Sequence, residues 1–453
     1  MWVSLCGVFV SNMTLTILTI ALPQIARDLD AERGFTNWVT LGPMLVTALL
    51  TPLSGRAADT LGRKAMWIGG FLLAIAGMVA SALAPDLPWL LAARLVTGVG
   101  SSLMIPAGLA LATSEFPPEE RATPVGYWTT TVAISPMLGI LIGGFLLEFV
   151  SWRWLFWGQV ALAAFPLAAA FIWFKERRVQ VKGPFDWWGS ATVGGASLAF
   201  MLGMTLLPQH GWLDPVVAGT LLLSLAMAAA SIWVERRVPN PVVPPGLVAD
   251  PQVAWCIVAR LAMNFTYMGA FMVLPYLLQE VWRWDTGQTS LTLLWRPLAM
   301  GATGMVVGRV AARFGAPVLV LVGCVGILTA SVLFSTLDGD PERATLLVAL
   351  VFAGVGLGLA SPGTAAIVTG RVRDEMLGTA SALMTLSATI SNTLGMAVLF
   401  AVVEVSGGVQ DPAAYRVSFV AGGTVVIAAV FAGMKLMRGA HREALAAGST
   451  SGM

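Results

Sequence analysis

The stretch GRAADTLGRK, residues 55–64, returns in altered form as GRVAARFGAP at residues 308–317. The two segments share Gly, Arg, Ala and Gly at matching offsets, and each follows the second apolar run of a group of six. Repeats of this kind are typical of membrane transporters that are built from paired helix bundles around a central site. The sequence therefore predicts two similar halves.

The composition indicates a protein that lies in a membrane. Of its 453 residues, 57% are hydrophobic and 11% are charged, with a mean hydropathy of +0.81, whereas soluble domains carry about 25% charged residues. Fourteen apolar runs reach the roughly 20 residues that a bilayer-crossing helix needs. The runs do not alternate with period two, so the pattern favours helices over barrel strands. We expect an all-α polytopic membrane protein with about fourteen transmembrane helices.

The distribution of Lys and Arg predicts the orientation. If both termini are cytoplasmic, the inner loops and the C-terminal tail hold seventeen of these residues, and the outer loops hold six. An excess of Lys and Arg in cytoplasmic loops is the usual pattern in membrane proteins. We therefore expect a multi-pass protein of the cell (inner) membrane with both termini in the cytoplasm.

The repeat and the basic segments between the runs divide the chain into four parts. We expect an N-terminal six-helix bundle at 1–180, an inserted two-helix pair at 181–240, a C-terminal six-helix bundle at 241–440 and a disordered cytoplasmic tail at 441–453. The basic segment KERRVQVKGPFDWW leads into the inserted pair, and ERRVPNPVVPPG leads out of it. The tail is too short and too polar to fold alone.

Three arginines, Arg94, Arg260 and Arg296, lie inside apolar runs. A charge within a membrane costs about 2.5–3.5 kcal/mol on insertion scales, so such residues usually face a cavity and have a role. Polar residues share a helical face with each of them, and span one has a similar stripe. These candidates for a central cavity are Arg94, Thr97 and Ser101; Arg260, Asn264 and Tyr267; Thr292, Arg296 and Thr303; and Asn12, Thr16 and Thr19. Snorkelling of each arginine to an interface, or hydroxyl groups that join helices, is the alternative.

The acidic residues all lie in loops or at the ends of runs. Pumps usually carry protons on a carboxylate deep in the membrane. Three intramembrane arginines without such a carboxylate favour an anionic over a cationic substrate.

Span five contains SPMLGILIGGF, which places Pro136, Gly139, Gly143 and Gly144 in one helix. Glycines permit another backbone to approach closely, and the proline permits a bend. The pattern is compatible both with close helix packing and with a moving hinge.

Several classes of protein do not fit the sequence. There are two histidines, three scattered cysteines and no GxxxxGK[ST] loop, so we expect no metal, no cofactor and no ATP drive from this chain. A membrane-embedded enzyme would need converging acid, base or nucleophile residues, and a channel would need a fixed pore. We expect neither an enzyme nor a nucleic-acid partner.

GRAADTLGRK resembles the loop signature of the major facilitator superfamily. MTLTILTIALPQIARDL, ARLVTGVGSS, FPPEERATPVGYW, SWRWLF, LPYLLQEV and GTASALMTL are similar to segments of its fourteen-helix drug:proton antiporter branch. The resemblance implies a major facilitator fold, alternating access between two six-helix bundles, and efflux of amphipathic compounds driven by proton entry. It implies a conformational latch at Gly55, Asp59, Gly62, Arg63 and Lys64, and a link between Arg94 and proton coupling.

The chain departs from the pattern of this family at three places. Thr14 stands where the first span usually carries an acid, so Thr14 joins the cavity candidates without a titratable group. Gly139-Ile140 replaces Gly-Pro in span five, where the proline is displaced to Pro136. Ala312 takes the place of the Asp in the second-half loop.

The resulting hypothesis is a secondary transporter that exports drug-like or secondary-metabolite molecules, with proton coupling implied by the resemblance. The first alternative is a carrier of organic anions or metabolites that does not couple protons through a buried carboxylate, and a membrane-embedded enzyme is a distant one. The expected partners are the lipid bilayer and an amphipathic or anionic small molecule, with protons and a periplasmic adaptor left open. We expect a monomer.

Overall fold

The computed structural model describes residues 1–30, 38–117, 120–147, 149–174, 187–211, 214–235, 237, 245–337, 342–373 and 376–450. This part of the chain is almost entirely helical and includes fourteen helices of 20 residues or more. They are α1 (Trp2–Asp28), α2 (Trp38–Leu61), α3 (Arg63–Ala82), α4 (Leu87–Ser114), α5 (Ala122–Leu146), α6 (Trp152–Trp173), α7 (Trp187–His210), α8 (Pro215–Glu235), α9 (Pro251–Tyr276), α10 (Trp295–Phe314), α11 (Ala316–Ser335), α12 (Arg343–Gly370), α13 (Leu377–Ser406) and α14 (Pro412–Thr450).

Eleven of these helices are, over their described residues, long and apolar enough to cross a membrane. The other three are α1, α5 and α10, and α10 contains Arg296, Arg309 and Arg313. The all-α, polytopic architecture with about fourteen spans is confirmed.

The tenth predicted run, near 289–311, is divided in the structure. A short helix, Thr286–Leu293, precedes α10, and the Asp285 side chain caps it by accepting the N–H of Gln288 at 2.8 Å. Pro297 has no N–H to donate to the carbonyl of Leu293, which explains why the helix is interrupted there.

The two repeated segments are helical rather than loops. α2 continues to Leu61 and α10 to Phe314, and each is followed by a glycine with positive φ, 103° at Gly62 and 82° at Gly315. Glycine adopts this conformation without the steric penalty of a side chain. Each segment is therefore a helix end, one glycine corner and the start of the next helix.

The packing of α1–α6 is repeated by α9–α14. α1 packs against α5 and α6, as α9 packs against α13 and α14; α3 packs against α4, as α11 packs against α12. A Cβ atom at Gly70 would lie 2.7 Å from the carbonyl oxygen of Gly100, and one at Gly323 would lie 2.5 Å from that of Gly356. The same glycine-to-glycine approach thus joins α3 to α4 and α11 to α12.

The two halves meet along two seams. At the first seam α2 packs against α13, and at the second α5 packs against α10. The helix α7 lies against both α2 and α13, through Leu45 and Ala48 on one side and Leu394 on the other. α8 packs against α7 and is otherwise largely exposed, as expected of a helix that faces lipid.

The domain junctions predicted near residues 180 and 240 lie outside the described residues, and these boundaries stay predictions. At the C-terminus the structure differs from the sequence-based expectation. α14 continues as a helix to Thr450, through most of the segment 441–453 that was expected to be disordered. Ala, Leu, Glu and Arg are good helix formers, and they predominate just after His441.

Candidate functional site

The carboxylate of Asp59, at the end of α2, binds the start of α13 in the other half. One oxygen accepts the backbone N–H of Gly378 at 2.9 Å, and the other accepts the N–H and hydroxyl of Thr379 at 2.7 and 3.0 Å. The Asp59 side chain is fully buried. Because the first N–H groups of a helix lack intrahelical partners and carry partial positive charge, a carboxylate there is stabilising. We call the end of the molecule that contains these atoms the Asp59 end.

The neighbouring basic residues hold this corner within the first half. Arg63 donates to Asp59 from Nη2 at 3.1 Å and from Nε at 3.3 Å. Lys64 donates to the carbonyl of Phe174 at 2.8 Å, at the C-terminus of α6. A cation at a helix C-terminus complements the helix dipole. Of the predicted latch residues, Asp59 therefore contacts the second half, whereas Arg63 and Lys64 make contacts within the first half.

Gly55 permits the close approach of α2 and α13. A Cβ atom at Gly55 would lie 2.2 Å from the Cβ of Ala382 and 2.8 Å from the carbonyl oxygen of Gly378. Real Cβ atoms do not approach so closely, so a side chain at this position would separate the helices.

Among the described residues of the second seam, no carboxylate corresponds to that of Asp59. Ala312 stands in the place of Asp59, and Pro124, the third residue of α5, corresponds to Thr379, the third residue of α13. Pro124 has no N–H to donate. Instead the buried side chain of Arg121 donates from Nη1 to the carbonyl of Thr369, at the C-terminal end of α12.

Close backbone contacts continue this second seam toward the middle of the molecule. A Cβ at Gly126 would lie 2.5 Å from the carbonyl oxygen of Gly304, and Thr130 donates to the carbonyl of Gly301 at 2.9 Å. Together the two seams join the halves at the Asp59 end. Arg121 and Thr130 were not among the predicted site residues, although FPPEERATPVGYW was part of the resemblance, because no residue pattern showed which backbone they would meet.

Arg94 is fully buried inside the first half. Its Nε donates to the carbonyl of Val39 at 3.2 Å, and its guanidinium carbon lies 6.0 Å from the centre of the Phe156 ring. Both Nη atoms lack a partner among the described residues. Thr97 donates within α4 to Ala93 at 3.1 Å, and Ser101 lies 3.3 Å from the hydroxyl of Ser11.

Arg260 joins three helices of the second half. Its Nε donates to the carbonyl of Met384 at 3.0 Å, and its Nη1 donates to the hydroxyl of Ser361 at 3.2 Å. The Asn264 side chain donates back to the carbonyl of Arg260 at 2.9 Å. Arg260 therefore ties α9 to α12 and α13.

Arg296 and Tyr267 are brought together, as a shared cavity face would require. The guanidinium carbon of Arg296 lies 3.4 Å from the centre of the Tyr267 ring, and Nη2 donates to the Tyr267 carbonyl. Stacking of Arg on an aromatic ring is favourable. Nε and Nη1 of Arg296 have no partner in the described part of the chain.

Two of the predicted polar residues of α1 donate side-chain hydrogen bonds within their own helix. The Asn12 side chain donates to the carbonyl of Val8 at 2.9 Å, and the buried Thr14 donates to that of Val10 at 2.8 Å. The side chains of Thr16 and Thr19 lie outside the described residues. In α5, a Cβ at Gly143 would lie 2.5 Å from Cγ1 of Ile17, so this glycine lies directly against α1. Pro136 is inside the helix, Gly139 is buried, and the surroundings of Gly144 are not described.

The three arginines thus occupy three separate environments. Arg94 lies between α4, α2 and α6, Arg260 lies between α9, α12 and α13, and Arg296 lies against α9. All three side chains engage neighbouring helices. Their assignment to one central cavity stays a prediction.

Two six-helix halves that meet at one end, with charged residues buried between helices, define a membrane transporter. The family model of the Major Facilitator Superfamily matches residues 4–396 and 256–450. The chain belongs to this superfamily, and it is a transporter rather than an enzyme.

Relatives in this superfamily are similar along most of the chain. The puromycin resistance protein pur8 of Streptomyces alboniger is 28% identical over 85% of this chain and 77% of its own length. The methylenomycin A resistance protein of Streptomyces coelicolor is 26% identical over 98% of this chain and 93% of its own. The transporter EfpA of Mycobacterium tuberculosis is 28% identical over 97% of this chain and 88% of its own.

Solved structures confirm the fold. The human organic anion transporter MFSD10 superposes with a TM-score of 0.70 at 14% identity, over 95% of this chain and 98% of that one. A double Trp mutant of XylE superposes with a TM-score of 0.69 at 11% identity, over 96% of this chain and 94% of that one. At these identities the likeness concerns the fold alone.

Proposed function

We propose that the protein exports drug-like or secondary-metabolite molecules by alternating access, with proton entry as the driving force. The observation that carries the proposal is the attachment of α2 to α13 through Asp59, at one end of the molecule. Resistance to puromycin and to methylenomycin A, named for two relatives, supports the class of substrate.

Alternating access requires contacts that hold one end closed and can be released. The bonds of Asp59 to Gly378 and Thr379 are of this kind, since they join two halves and depend on one charge. Hydrogen bonds to charged groups contribute about 1.5–3 kcal/mol each, which is within the range of a conformational equilibrium that a substrate or proton can shift.

The excess of Lys and Arg at the Asp59 end supports its placement in the cytoplasm. With this orientation we infer that the described arrangement is closed toward the cytoplasm, as an outward-facing state of the cycle would be. From such a state an exported substrate would be released on the outer side of the membrane.

A carrier of organic anions is the second candidate. It is favoured by the N–H groups of Arg94 and Arg296 that lack partners among the described residues, because a buried guanidinium without a counter-ion attracts negative charge. Both candidates use the same central step, in which the protein alternates between a state closed at one end and a state closed at the other.

Proteoliposomes with an imposed pH gradient distinguish the two candidates. The purified protein is offered puromycin, an amphipathic amine, and in parallel an amphipathic carboxylate of similar size. Puromycin flux with stoichiometric proton counterflow supports proton-coupled export and excludes the anion carrier. Flux of the carboxylate alone, without proton movement, overturns the proposal in favour of the second candidate.

Replacing Arg94 by Ala should abolish proton-coupled flux while the protein stays folded. Its two Nη atoms have no partner in the part of the chain that the structure describes, so its removal breaks few described contacts. Flux and the midpoint of thermal unfolding are measured together, with Arg438→Ala as a control, because Arg438 is exposed on α14. Unchanged flux in Arg94→Ala would show that Arg94 has no part in coupling.

A further inference from the structure

A cavity of about 310 Å³ lies at the end of the molecule opposite the Asp59 end, between the interrupted start of α10 and the start of α12. Its apolar walls are formed by Trp284, Leu291, Trp295 and Leu347. All of its lining residues belong to the second half, so its shape does not depend on how the two halves are placed. Because these segments are helix ends, the cavity lies where the apolar spans meet the membrane interface.

The inserted pair leaves this side of the second half open to the bilayer. The register of the repeat, in which Gly55 matches Gly308, pairs Leu45 of α2 with Leu298 of α10. Leu45 is 7% exposed because α7 covers it, whereas Leu298, one turn from Trp295 on the same face of α10, is 42% exposed. A molecule that is dissolved in the bilayer can therefore reach the cavity from this side.

The turn that precedes the short helix Thr286–Leu293 places Trp284 at the cavity. Arg283 has a φ of 55°, a left-handed conformation that is uncommon for a residue with a side chain. On one side of it Trp282 is buried, and on the other side Trp284 lines the cavity. Strained backbone of this kind clusters at functional sites and ligand clamps. The turn therefore fixes one aromatic wall of the cavity.

Three polar side chains, those of Gln288, Thr292 and Arg343, also line the cavity. They make no hydrogen bond or ion pair with the described residues. The guanidinium carbon of Arg343 lies 5.1 Å from the centre of the Trp284 ring. Stacking on an aromatic ring leaves the N–H groups at the edge of a guanidinium free to bind a carboxylate.

Two acidic residues in the same segments are engaged at helix starts. Asp285 accepts the N–H of Gln288 at 2.8 Å, and Glu342 accepts the hydroxyl of Thr345 at 3.0 Å. Neither acid lines the cavity, whereas Arg343 does. A ligand in the cavity therefore meets a positive charge.

We propose that this cavity binds an amphipathic aromatic carboxylate that reaches it from the bilayer. The aromatic ring packs between Trp284 and Trp295, and the carboxylate accepts N–H bonds from Arg343, with Gln288 and Thr292 as further donors. Apolar walls with a few polar groups, in a volume of about 300 Å³ or more, are typical of small-molecule sites. The inference does not rest on the proposed transport function, because it concerns binding within one half.

Binding of naphthoate to the purified full-length protein in nanodiscs is measured by titration calorimetry, with protein-free nanodiscs as the reference for partition into lipid. We expect saturable binding that is tighter than that of naphthalenemethanol, which has the same ring and no charge. Arg343→Gln should weaken naphthoate binding by about tenfold, and Trp295→Leu should weaken it several-fold. Both side chains are exposed, so the midpoint of thermal unfolding without ligand should not change.

Each variant has a matched control at the same end of the molecule. Arg416→Gln changes an exposed arginine near the start of α14, and Trp154→Leu changes an exposed tryptophan in the first turn of α6. Both controls should bind naphthoate as the wild type does.

Four results would overturn the inference. Absence of saturable binding would exclude the site. Equal affinity for naphthoate and naphthalenemethanol would exclude recognition of the carboxylate. Octanoate bound as tightly as naphthoate would exclude recognition of the aromatic ring. Unchanged affinity in both Arg343→Gln and Trp295→Leu would place the ligand elsewhere on the protein.

Discussion

At the scale of the residue, Asp59 is the group that we expect to hold the Asp59 end closed most directly. One buried carboxylate accepts three hydrogen bonds from α13 and an ion pair from Arg63. An amide of the same shape keeps the volume but loses the charge and one acceptor. The effect of that change should therefore appear in the equilibrium between open and closed states more than in folding.

Asp59→Asn should increase the population in which the Asp59 end is open. The loss of about 1.5–3 kcal/mol from charged hydrogen bonds corresponds to roughly a ten- to hundredfold change in the ratio of states. Spin labels at the exposed positions Leu61 and Arg373, on either side of the seam, report the distance by pulsed electron resonance once Cys6, Cys256 and Cys324 are replaced.

Asp28→Asn is the matched control for this measurement. Asp28 accepts a hydrogen bond from Trp152 at 3.0 Å, and both residues belong to the first half at the opposite end. Its distance distribution should match that of the parent. If Asp59→Asn also leaves the distribution unchanged, Asp59 does not hold the seam.

The latch residues were recognisable from the sequence, but the surroundings of the arginines were not. Gly, Asp, Gly, Arg and Lys at fixed spacing indicate the corner because each residue type has a local reason to be there. Periodicity shows only which residues share a face of one helix. It does not show which helix that face meets, so the separation of Arg94 from Arg260 and Arg296 became visible only in the packed structure.

At the scale of the element, glycines permit two kinds of close helix contact, one within a half and one between the halves. Gly70 and Gly323 bring helices together within a half, so we expect these contacts to persist when the halves move relative to each other. Gly55 brings helices together across the first seam, and its contact exists only while the Asp59 end is closed.

Gly55→Ala should therefore shift the conformational equilibrium toward opening, whereas Gly70→Ala should lower thermal stability. The added methyl at position 55 would meet the Cβ of Ala382 at 2.2 Å, and that at position 70 would meet the carbonyl of Gly100 at 2.7 Å. The spin-label distance and the midpoint of thermal unfolding are measured for both variants. Gly69→Ala on α3 is the control, because nothing lies within 4 Å of a Cβ there.

An increase in the open population for Gly70→Ala as large as that for Gly55→Ala would contradict this division.

The helices themselves were predictable to within a few residues, since long apolar runs specify spans strongly. The ends of α2 and α10 were not, because the charged residues Arg56, Asp59, Arg309 and Arg313 in these segments are typical of a loop between spans. Burial of Arg56 and Asp59 against neighbouring helices keeps that part of α2 helical.

At the scale of the whole molecule, the orientation in the membrane is predicted from the Lys and Arg content of the loops and can be tested without a transport assay. A green fluorescent protein fused after Thr450 should fluoresce, and alkaline phosphatase at the same position should be inactive, because both termini are expected in the cytoplasm. Phosphatase fused to a chain that ends at Leu337, between α11 and α12, should be active. Active phosphatase after Thr450 would reverse the assignment of the Asp59 end.

The number of helices inserted between the halves, here the pair α7 and α8, determines the orientation of the second half in the membrane. Each membrane crossing inverts the direction of the chain, so an insertion of two helices restores the direction that the chain had after α6. One or three inserted helices would turn the second half upside down. Gly378 and Thr379 would then lie on the far side of the membrane from Asp59, and neither seam could form. An addition between the halves of such a duplicated protein is thus compatible with its closing mechanism only when the number of helices is even.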